Sequence, residues 1–452
     1  MIDGKRIKNQ NNNPVIKENN FFVYWMQHSQ RTLYNHALEY SIELSNKFQK
    51  PLVVCFCLTD SFPDANLRHY RFMLEGLKEV KIDLFKRNIK FVLKIGSPET
   101  CIKEISKKAC SVVTDRGYLK IHRKWRKTIA QNIECAMFQV ETDLVVPVEE
   151  ASLKEEYGAY TIRKKINSRL DEFMIPVSEE KLMINSLGLD LISEDIDDID
   201  KILAELSLKD NLRPSHFKGG SSQALKLLDL FIDEKLQYYS EKRNDPALDF
   251  TSNLSPYFHF GQISPVYAGL RVKSLKGEGR DSFLEEMIVR RELSFNFVTY
   301  NPFFDSFECL PDWAKNTLLE HENDKRPYIY SLEELENSLT HDRFWNAAQL
   351  ELVLTGKMHG YMRMYWGKKI IEWTYSPKEA FDLALNLNNK YALDGRDPNS
   401  FAGIAWCFGK HDRPWKERPV FGKIRYMNSN GLKRKFNPDL YADKIYSMKK
   451  FD

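Results

Sequence analysis

FFVYWMQHSQRTLYNHALEYSIELSNKFQKPLVVCFCL, residues 21–58, decides the fold of the N-terminal part of the chain. Its ends, FFVYWM at 21–26 and PLVVCFCL at 51–58, are short apolar runs rich in β-branched and aromatic residues. Between them, 31–48 has helical apolar spacing and the length of a crossover. Strand, helix, strand is a βαβ unit, and such a unit demands a parallel pair. The pattern continues outward: IKFVLKIG at 89–96, CSVVTDR at 110–116 and MFQVET at 137–142 read as further strands, and 67–87 as a further helix. The alternation predicts an α/β domain with a parallel sheet.

On the N-terminal side, MIDGKRIKNQNNNP is polar and Asn-rich, and residues 1–20 read as a flexible arm. On the other side, regular strand signals stop after Pro147. Residues 176–214 include the acidic run ISEDIDDID and read as an interdomain linker whose charges form a solvated face. From 215 onward the periodicity is helical. Leu225, Leu228, Ile232, Leu236 and Tyr239 make one stripe over 221–239, and Met358, Tyr361, Met362, Tyr365, Ile370 and Trp373 make another. The reading is therefore an α/β domain over 21–175 and an all-helical domain over 215–452.

A chain of 452 residues is long enough for two cores, and 42 % hydrophobic with 13 % aromatic residues describes a globular protein. The formal charge of +4 permits a phosphate-bearing partner without demanding one. Seven cysteines without a CxxC pair form neither a disulfide framework nor a zinc pattern, so they read as reduced and intracellular. No leader-like h-region and no run of eighteen apolar residues is present, which argues against secretion and membrane spanning. Walker A, HExxH and GxSxG motifs are absent, and with them the chemistries they support.

Four segments of the helical part invite a ligand. FKGGSSQALKLLDLF at 217–231 sets Gly219 and Gly220 before Ser221 and Ser222, a helix start where an anion fits, or a plain capped start. TSNLSPYFHFGQIS at 251–264 crowds hydroxyls and an amide around Pro256 and runs into Pro265, an N1 residue capped by Ser264; it suits a pyrophosphate, or a capped loop. WNAAQLELVLTGKMHGYMRMYWGKKIIEW at 345–373 puts Trp366 and Trp373 on one helix face, about 10 Å apart along the axis, so that their rings could nearly touch. Trp345 precedes them across a break at Gly356, and a core stripe is the other reading. LNNKYALDGRDPNSFAGIAW at 387–406 gathers Asp394, Arg396, Asp397 and Asn399 in one turn, for a ligand or a salt-bridge network.

In this order and spacing the four segments resemble the FAD-binding half of photolyases and cryptochromes, and most specifically the class II cyclobutane-dimer photolyases. FLEEMIVRREL at 283–293, THDRFWNA at 340–347 and GKIRYMNSNGLKRKF at 422–436 are similar too. The resemblance runs over roughly 215–440, and more loosely over 21–150, where the family has a Rossmann-like antenna domain. It implies that Thr251, Ser252, Asn253, Leu254 and Ser255 hold the FAD diphosphate with help from Ser221 and Ser222. Arg363 and Asp394 flank the isoalloxazine as an ion pair, and Asn388 sits beside flavin N5. Trp366 is nearest the flavin and heads an electron relay that runs through Trp345 and Trp373 to the surface. A deazaflavin or another antenna chromophore fits family precedent, and no residue set here identifies one.

The implied reaction is light-driven DNA repair, in which reduced FAD lends an electron to a cyclobutane pyrimidine dimer in double-stranded DNA and takes it back. By the same resemblance Glu286 hydrogen-bonds the dimer, Met364 approaches it from the flavin side, Trp406 offers an aromatic face and Arg243 contacts it or its phosphates. Arg290 stands where some class II enzymes carry a second lesion-site tryptophan, a departure that arginine can meet by stacking or by binding phosphate. Residues 410–435 hold nine Lys/Arg against two acidic residues, interleaved with Trp415, Phe421 and Tyr426. Lys410, Arg413, Lys433 and Arg434 of this strip are the expected phosphate contacts. The rival reading is a cryptochrome-like photoreceptor without repair, against which stands the lack of a long disordered tail. A monomer acting wherever the genome resides completes the expectation.

Overall fold

A computed structural model describes residues 1–208 and 212–449; the part of the expected linker at 209–211 lies outside the described residues. Internal contacts divide the chain into two units. The first comprises Met1–Leu153, Ile166–Asp229 and Leu254–Leu275; the second comprises Lys154–Lys165, Leu230–Asn253 and Lys276–Asp452.

The first unit is built on a six-stranded sheet. Its elements are β1 (Ile7–Asn9), β2 (Phe21–Met26), α1 (His36–Phe48), β3 (Leu52–Leu58), α2 (Leu67–Lys86), β4 (Lys90–Ile95), α3 (Pro98–Ser106), β5 (Ala109–Asp115), α4 (Lys120–Asn132) and β6 (Ala136–Val140). The order is β1-β6-β5-β2-β3-β4, parallel throughout except for β1. Every residue of β2, β3 and β5 is buried. This is why those strands read as unbroken apolar runs: both faces of a parallel sheet are covered. Alternate side chains serve the two faces, with Phe22, Tyr24 and Met26 in one core and Val23 and Trp25 in the other.

The N-terminal arm is not loose. Ile7 pairs with Val140, and β1 closes the β6 edge in antiparallel sense. Arg6 is buried, donating to the carbonyls of Leu144 at 3.0 Å and Val145 at 2.7 Å. A three-residue strand held mainly by backbone bonds leaves too short a side-chain pattern to read. The acidic stretch is also better anchored than a linker, since Ile196, Ile202, Leu203 and Leu206 enter the first unit's core. Its carboxylates remain solvated, as expected, with Asp195 and Asp197 meeting Lys81. The first unit continues with α5 (Ser221–Leu230) and α6 (Pro265–Lys273), the latter capped by Ser264 at 3.3 Å from the Tyr267 amide.

The expected single helix over 221–239 is interrupted: a π turn at Phe231–Lys235 and a 3-10 turn at Leu236–Tyr238 follow α5. Phe231 rather than the expected Ile232 is the buried residue there, and the wider turn returns Leu236, five residues on, to the core.

The second unit is helical in its described residues, apart from one isolated bridge between Arg418 and Gly422. It contains α7 (Glu278–Leu284), a π-helical segment Glu285–Arg290, α8 (Arg291–Tyr300), α9 (Arg343–Thr355), α10 (Gly360–Trp373), α11 (Pro377–Tyr391), α12 (Pro398–Cys407) and α13 (Pro438–Lys449). Gly356 ends α9 with φ 76°, a left-handed cap that suits glycine, and so produces the break foreseen between Trp345 and Trp366. Among the described residues no helix is long and apolar enough to cross a membrane.

Candidate active site

Three tryptophans of the second unit form a continuous row. Trp345 on α9 stacks on Trp366 of α10, with ring centroids 6.3 Å apart and planes 6° from parallel. It meets Trp373 edge-on at 5.6 Å. Trp366 and Trp373 do not touch each other, contrary to what their spacing suggested; Trp345 stands between them. Two of the indole N–H groups are satisfied, Trp345 by the Trp366 carbonyl at 3.0 Å and Trp366 by Gln349 Oε1 at 2.9 Å. Trp373 is only 1 % exposed, so the row does not itself reach solvent. Ring contacts continue from it to Tyr330 and His341, each at 5.3 Å, and His341 stacks on the exposed Tyr328 at 3.8 Å.

On the same helix α10, Arg363 reaches Asp394 at 3.3 Å, the ion pair expected from the sequence. Its Nε is buried and has no hydrogen-bond partner. A buried guanidinium N–H without a partner is costly unless a ligand accepts from it. Asn388, 1 % exposed on α11, donates Nδ2 to Ser400 Oγ, which fixes the amide plane. Arg396 and Asp397 serve the turn itself: the Arg396 amide donates to Asn389 Oδ1 at 2.9 Å, and Asp397 caps α12.

Lys357, in the loop between α9 and α10, was not singled out from the sequence. Its ammonium donates to Thr251 Oγ1 at 3.2 Å and to Asn253 Oδ1. No carboxylate pairs with it among the described residues, and burial lowers its pKa. Asn253 holds φ 59°, a left-handed turn that asparagine tolerates and that bends the 251–253 loop around the ammonium. Glu351, Asp249 and Asp394 act on the ammonium from beyond ion-pair distance while the oxygens it touches are neutral, so an anion can still pair with it directly. Lys357, the 251–253 loop and the unpartnered Arg363 Nε therefore fit a dinucleotide cofactor with a charged diphosphate. The signal in the sequence was a lysine just past a helix-ending glycine, too common to weigh alone.

Glu286 and Arg290 lie in the π segment. Glu286 pairs with Arg243 at 3.0 Å. Arg290 pairs with Glu285 at 3.1 Å rather than with Glu286 four residues back. Five-residue spacing is what a π turn brings together. Glu285 also accepts from Arg163, whose hydrogen bond is the main cause of its lowered pKa. Glu286 is thus the freer carboxylate of the two. Met364 is half-buried on α10, beside Cys407 Sγ at 3.8 Å, and Trp406 on α12 is 36 % exposed.

The basic strip divides. Lys410 is buried, bonded to Glu155 and to the Cys309 carbonyl at 3.0 Å, so it is withdrawn from the expected phosphate contacts. A desolvated ammonium needs internal acceptors, and it has found them. Arg413, Lys433 and Arg434 are exposed. Exposed Trp415 has guanidinium groups over its ring from Arg413 at 5.7 Å and Arg425 at 5.2 Å.

In the first unit the Gly219–Ser222 start is already filled. The Gly219 amide donates to Glu75 at 2.7 Å, Ser222 donates to Glu79 through both its amide and its hydroxyl, and Ser221 Oγ donates to the Gln262 carbonyl. Two carboxylates occupy the place expected for a phosphate, so Ser221 and Ser222 are removed from the diphosphate set. A different feature stands at the C-terminal ends of β2 and β5, between which the strand order reverses. Ser29 Oγ, Gln30 Oε1 and His122 Nδ1 are buried there without hydrogen-bond partners, and the His122 ring touches Phe62 and Trp125. Such reversal points are where open α/β sheets bind ligands.

Comparison with known proteins identifies the family. Residues 22–182 match the family model described as DNA photolyase. The chain is 52 % identical to the deoxyribodipyrimidine photo-lyase of Methanothermobacter thermautotrophicus, over 98 % of this chain and 99 % of that one. It is 42 % identical to the deoxyribodipyrimidine photo-lyase of Potorous tridactylus, over 94 % of this chain and 81 % of the relative. Among solved structures, the archaeal photolyase from Sulfolobus tokodaii with two FAD molecules shares the fold with a TM-score of 0.72 at 17 % identity, covering 94 % of this chain and 89 % of that one. With the first relative aligned from end to end at that identity, the chain belongs to the DNA photolyase family.

Proposed function

We propose that this chain is a deoxyribodipyrimidine photo-lyase of the class II type, repairing cyclobutane pyrimidine dimers in double-stranded DNA with light. The observation that carries the reading is the end-to-end similarity to relatives of that name. Reduced FAD, when bound, supplies the light-excited electron that opens the dimer and receives it back, without net redox change. Lys357, Thr251, Ser252 and Asn253 hold the diphosphate. Arg363 and Asp394 flank the isoalloxazine, and Asn388 offers it an uncharged amide. Trp366, Trp345 and Trp373 conduct electrons inward to restore the reduced state.

Glu286 accepts a hydrogen bond from a ring N–H of the dimer and holds it in place, and the Arg243 guanidinium paired with it stabilises the negative charge that develops there, a preorganised electrostatic role. Arg243 pairs with Glu286 and orients it toward the lesion, while Met364, Trp406 and Arg290 line the same pocket. A dimer already stacks and pairs poorly, so extruding it from the duplex costs less than extruding a normal base. Exposed Arg413, Lys433 and Arg434 grip the backbone, and Trp415 offers a face to an unstacked base. The unpartnered polar atoms and aromatic rings beyond β2 and β5 favour a planar antenna chromophore such as a deazaflavin in the first unit.

The test is dimer splitting in a duplex carrying one pyrimidine dimer, under blue light and in the dark, with the flavin spectrum of the protein recorded alongside. Light-dependent splitting by a flavin-loaded protein is expected. A protein that binds flavin but neither splits dimers nor prefers them to intact duplex is a photoreceptor instead.

A further inference from the structure

One histidine joins two functional elements of the second unit. His359 stands at the N-cap of α10, three residues beyond Gly356. Its ring is buried and both nitrogens are used: Nδ1 accepts from the Tyr361 amide at 3.2 Å, and Nε2 lies 3.0 Å from the carbonyl of Arg243. An amide can only donate and a carbonyl can only accept, so the ring is neutral with its proton on Nε2. Burial, reinforced by the Lys357 ammonium, pushes its pKa down to about 4, which keeps this tautomer at neutral pH.

The ring is held from behind as well. The His359 amide donates to Glu351 Oε2 at 3.2 Å, and the same oxygen accepts the Tyr441 hydroxyl of α13 at 2.6 Å. Arg243, whose carbonyl takes the Nε2 proton, ends the short helix Tyr239–Lys242 and carries the guanidinium that pairs with Glu286. A side chain that must meet a ligand within a fraction of an ångström needs its backbone fixed by such supporting bonds.

We propose that His359 is a positioning residue for dimer recognition: its Nε2–H, aimed by the cap of α10, fixes the Arg243 backbone and thereby the Arg243–Glu286 pair relative to the helix bearing Arg363, Met364 and Trp366. The inference rests on reading Arg243 and Glu286 as lesion contacts.

Asparagine and glutamine separate the two roles of the ring. Asn places an acceptor where Nδ1 lies but falls short of the Arg243 carbonyl, whereas Gln reaches that carbonyl and gives up the cap. FAD-loaded His359→Asn should melt closer to wild type than His359→Gln and keep the rate of light-driven flavin reduction, while its affinity in the dark for a duplex with one dimer falls about tenfold, or 1.4 kcal/mol. His359→Gln should show the reverse, a lower melting temperature with near wild-type dimer affinity. Combining His359→Asn with Arg243→Ala should weaken binding no further than Arg243→Ala alone, because both remove one coupled contact. Affinity that tracks melting temperature in both variants, or losses that simply add, overturns the proposal. Wild-type affinity in Arg243→Ala overturns the lesion reading of Arg243 itself, an outcome distinct from a loss in Arg243→Ala with none in His359→Asn.

Discussion

Trp345 lies over Trp366 with planes 6° from parallel and hands its indole N–H to the Trp366 backbone carbonyl, so packing and hydrogen bonding fix one and the same orientation. The middle ring of the row is therefore the one whose loss opens the largest gap, since Trp366 and Trp373 meet only through it.

Trp345→Phe should slow light-driven reduction of oxidised flavin more severely than Trp373→Phe, while repair starting from pre-reduced enzyme is kept. The smaller ring at a fully buried site costs about 1–3 kcal/mol of stability. Transient absorption of the flavin under blue light, set beside a melting curve, checks both statements; equal photoreduction in the two variants would break the proposed order of transfer.

Glu286→Ala should retain FAD and photoreduction, bind damaged DNA more weakly in the dark, as Arg243→Ala does, and lose repair per absorbed photon. A preorganised contact that stabilises developing charge is worth about 3 kcal/mol in an enclosed site and less here, where the Arg243–Glu286 pair is partly solvated. Neighbouring Glu285 is occupied by Arg163 and Arg290, so Glu285→Ala should affect stability rather than repair yield. The quantum yield of pre-reduced enzyme separates the two carboxylates.

Lys357→Met should destabilise FAD-loaded protein more than apo protein. Without cofactor the substitution removes a desolvated cation together with its pull on Glu351, Asp249 and Asp394, two effects that oppose each other, so the apo protein melts close to wild type. With cofactor it removes a charge-assisted bond to phosphate, weakening FAD binding by about 1.5–3 kcal/mol. Flavin titration of apo protein and paired melting curves separate the two losses.

Binding to dimer-containing duplex should fall with salt, at a log-log slope of about −0.9 for each neutralised phosphate. Arg413→Ala and Arg434→Ala should each make that slope shallower, whereas Lys410→Ala should lower stability and leave the slope unchanged, because its ammonium is spent on Glu155 and Cys309. Titrations at several salt concentrations distinguish the two groups.

Lys368 supplies a pH test. It is fully buried on α10, donates to the Cys407 carbonyl at the end of α12, and burial pushes its pKa down to about 8. A lysine whose folded pKa lies below its unfolded value penalises folding while charged. The penalty is complete below pH 8 and is relieved as pH rises toward the unfolded value near 10.5. The stability of wild type relative to Lys368→Met should therefore increase between pH 8 and 10.5, by about 3 kcal/mol at most. A flat difference in denaturant midpoints across that range would rule this out.

The strands were legible because burial on both faces writes itself as uninterrupted apolar runs, and α10 because its stripe keeps a 3.6-residue period. The Arg363–Asp394 pair was reached through resemblance and then met in space. What escaped was set by tertiary context. β1 is held by backbone bonds, Lys410 looks like its exposed neighbours until Glu155 is brought beside it, and the π segment that pairs Arg290 with Glu285 leaves no mark in composition. Ser221 and Ser222 misled for a related reason: a helix start that welcomes an anion had recruited Glu75 and Glu79 from the same unit.

The interleaving of the two units has a consequence for synthesis. Residues 254–275 return to the first unit only after 230–253 have contributed to the second. Until they emerge, the Arg31 guanidinium lacks the Gly261 carbonyl that it meets at 2.9 Å, and Phe72 lacks the rings of Tyr257 and Phe260. At about 5–20 residues per second, a nascent chain carries that uncovered surface for seconds after its sheet is complete. Chains released anywhere before residue 275 are accordingly expected to be held by chaperones or to aggregate, however well their strands have formed.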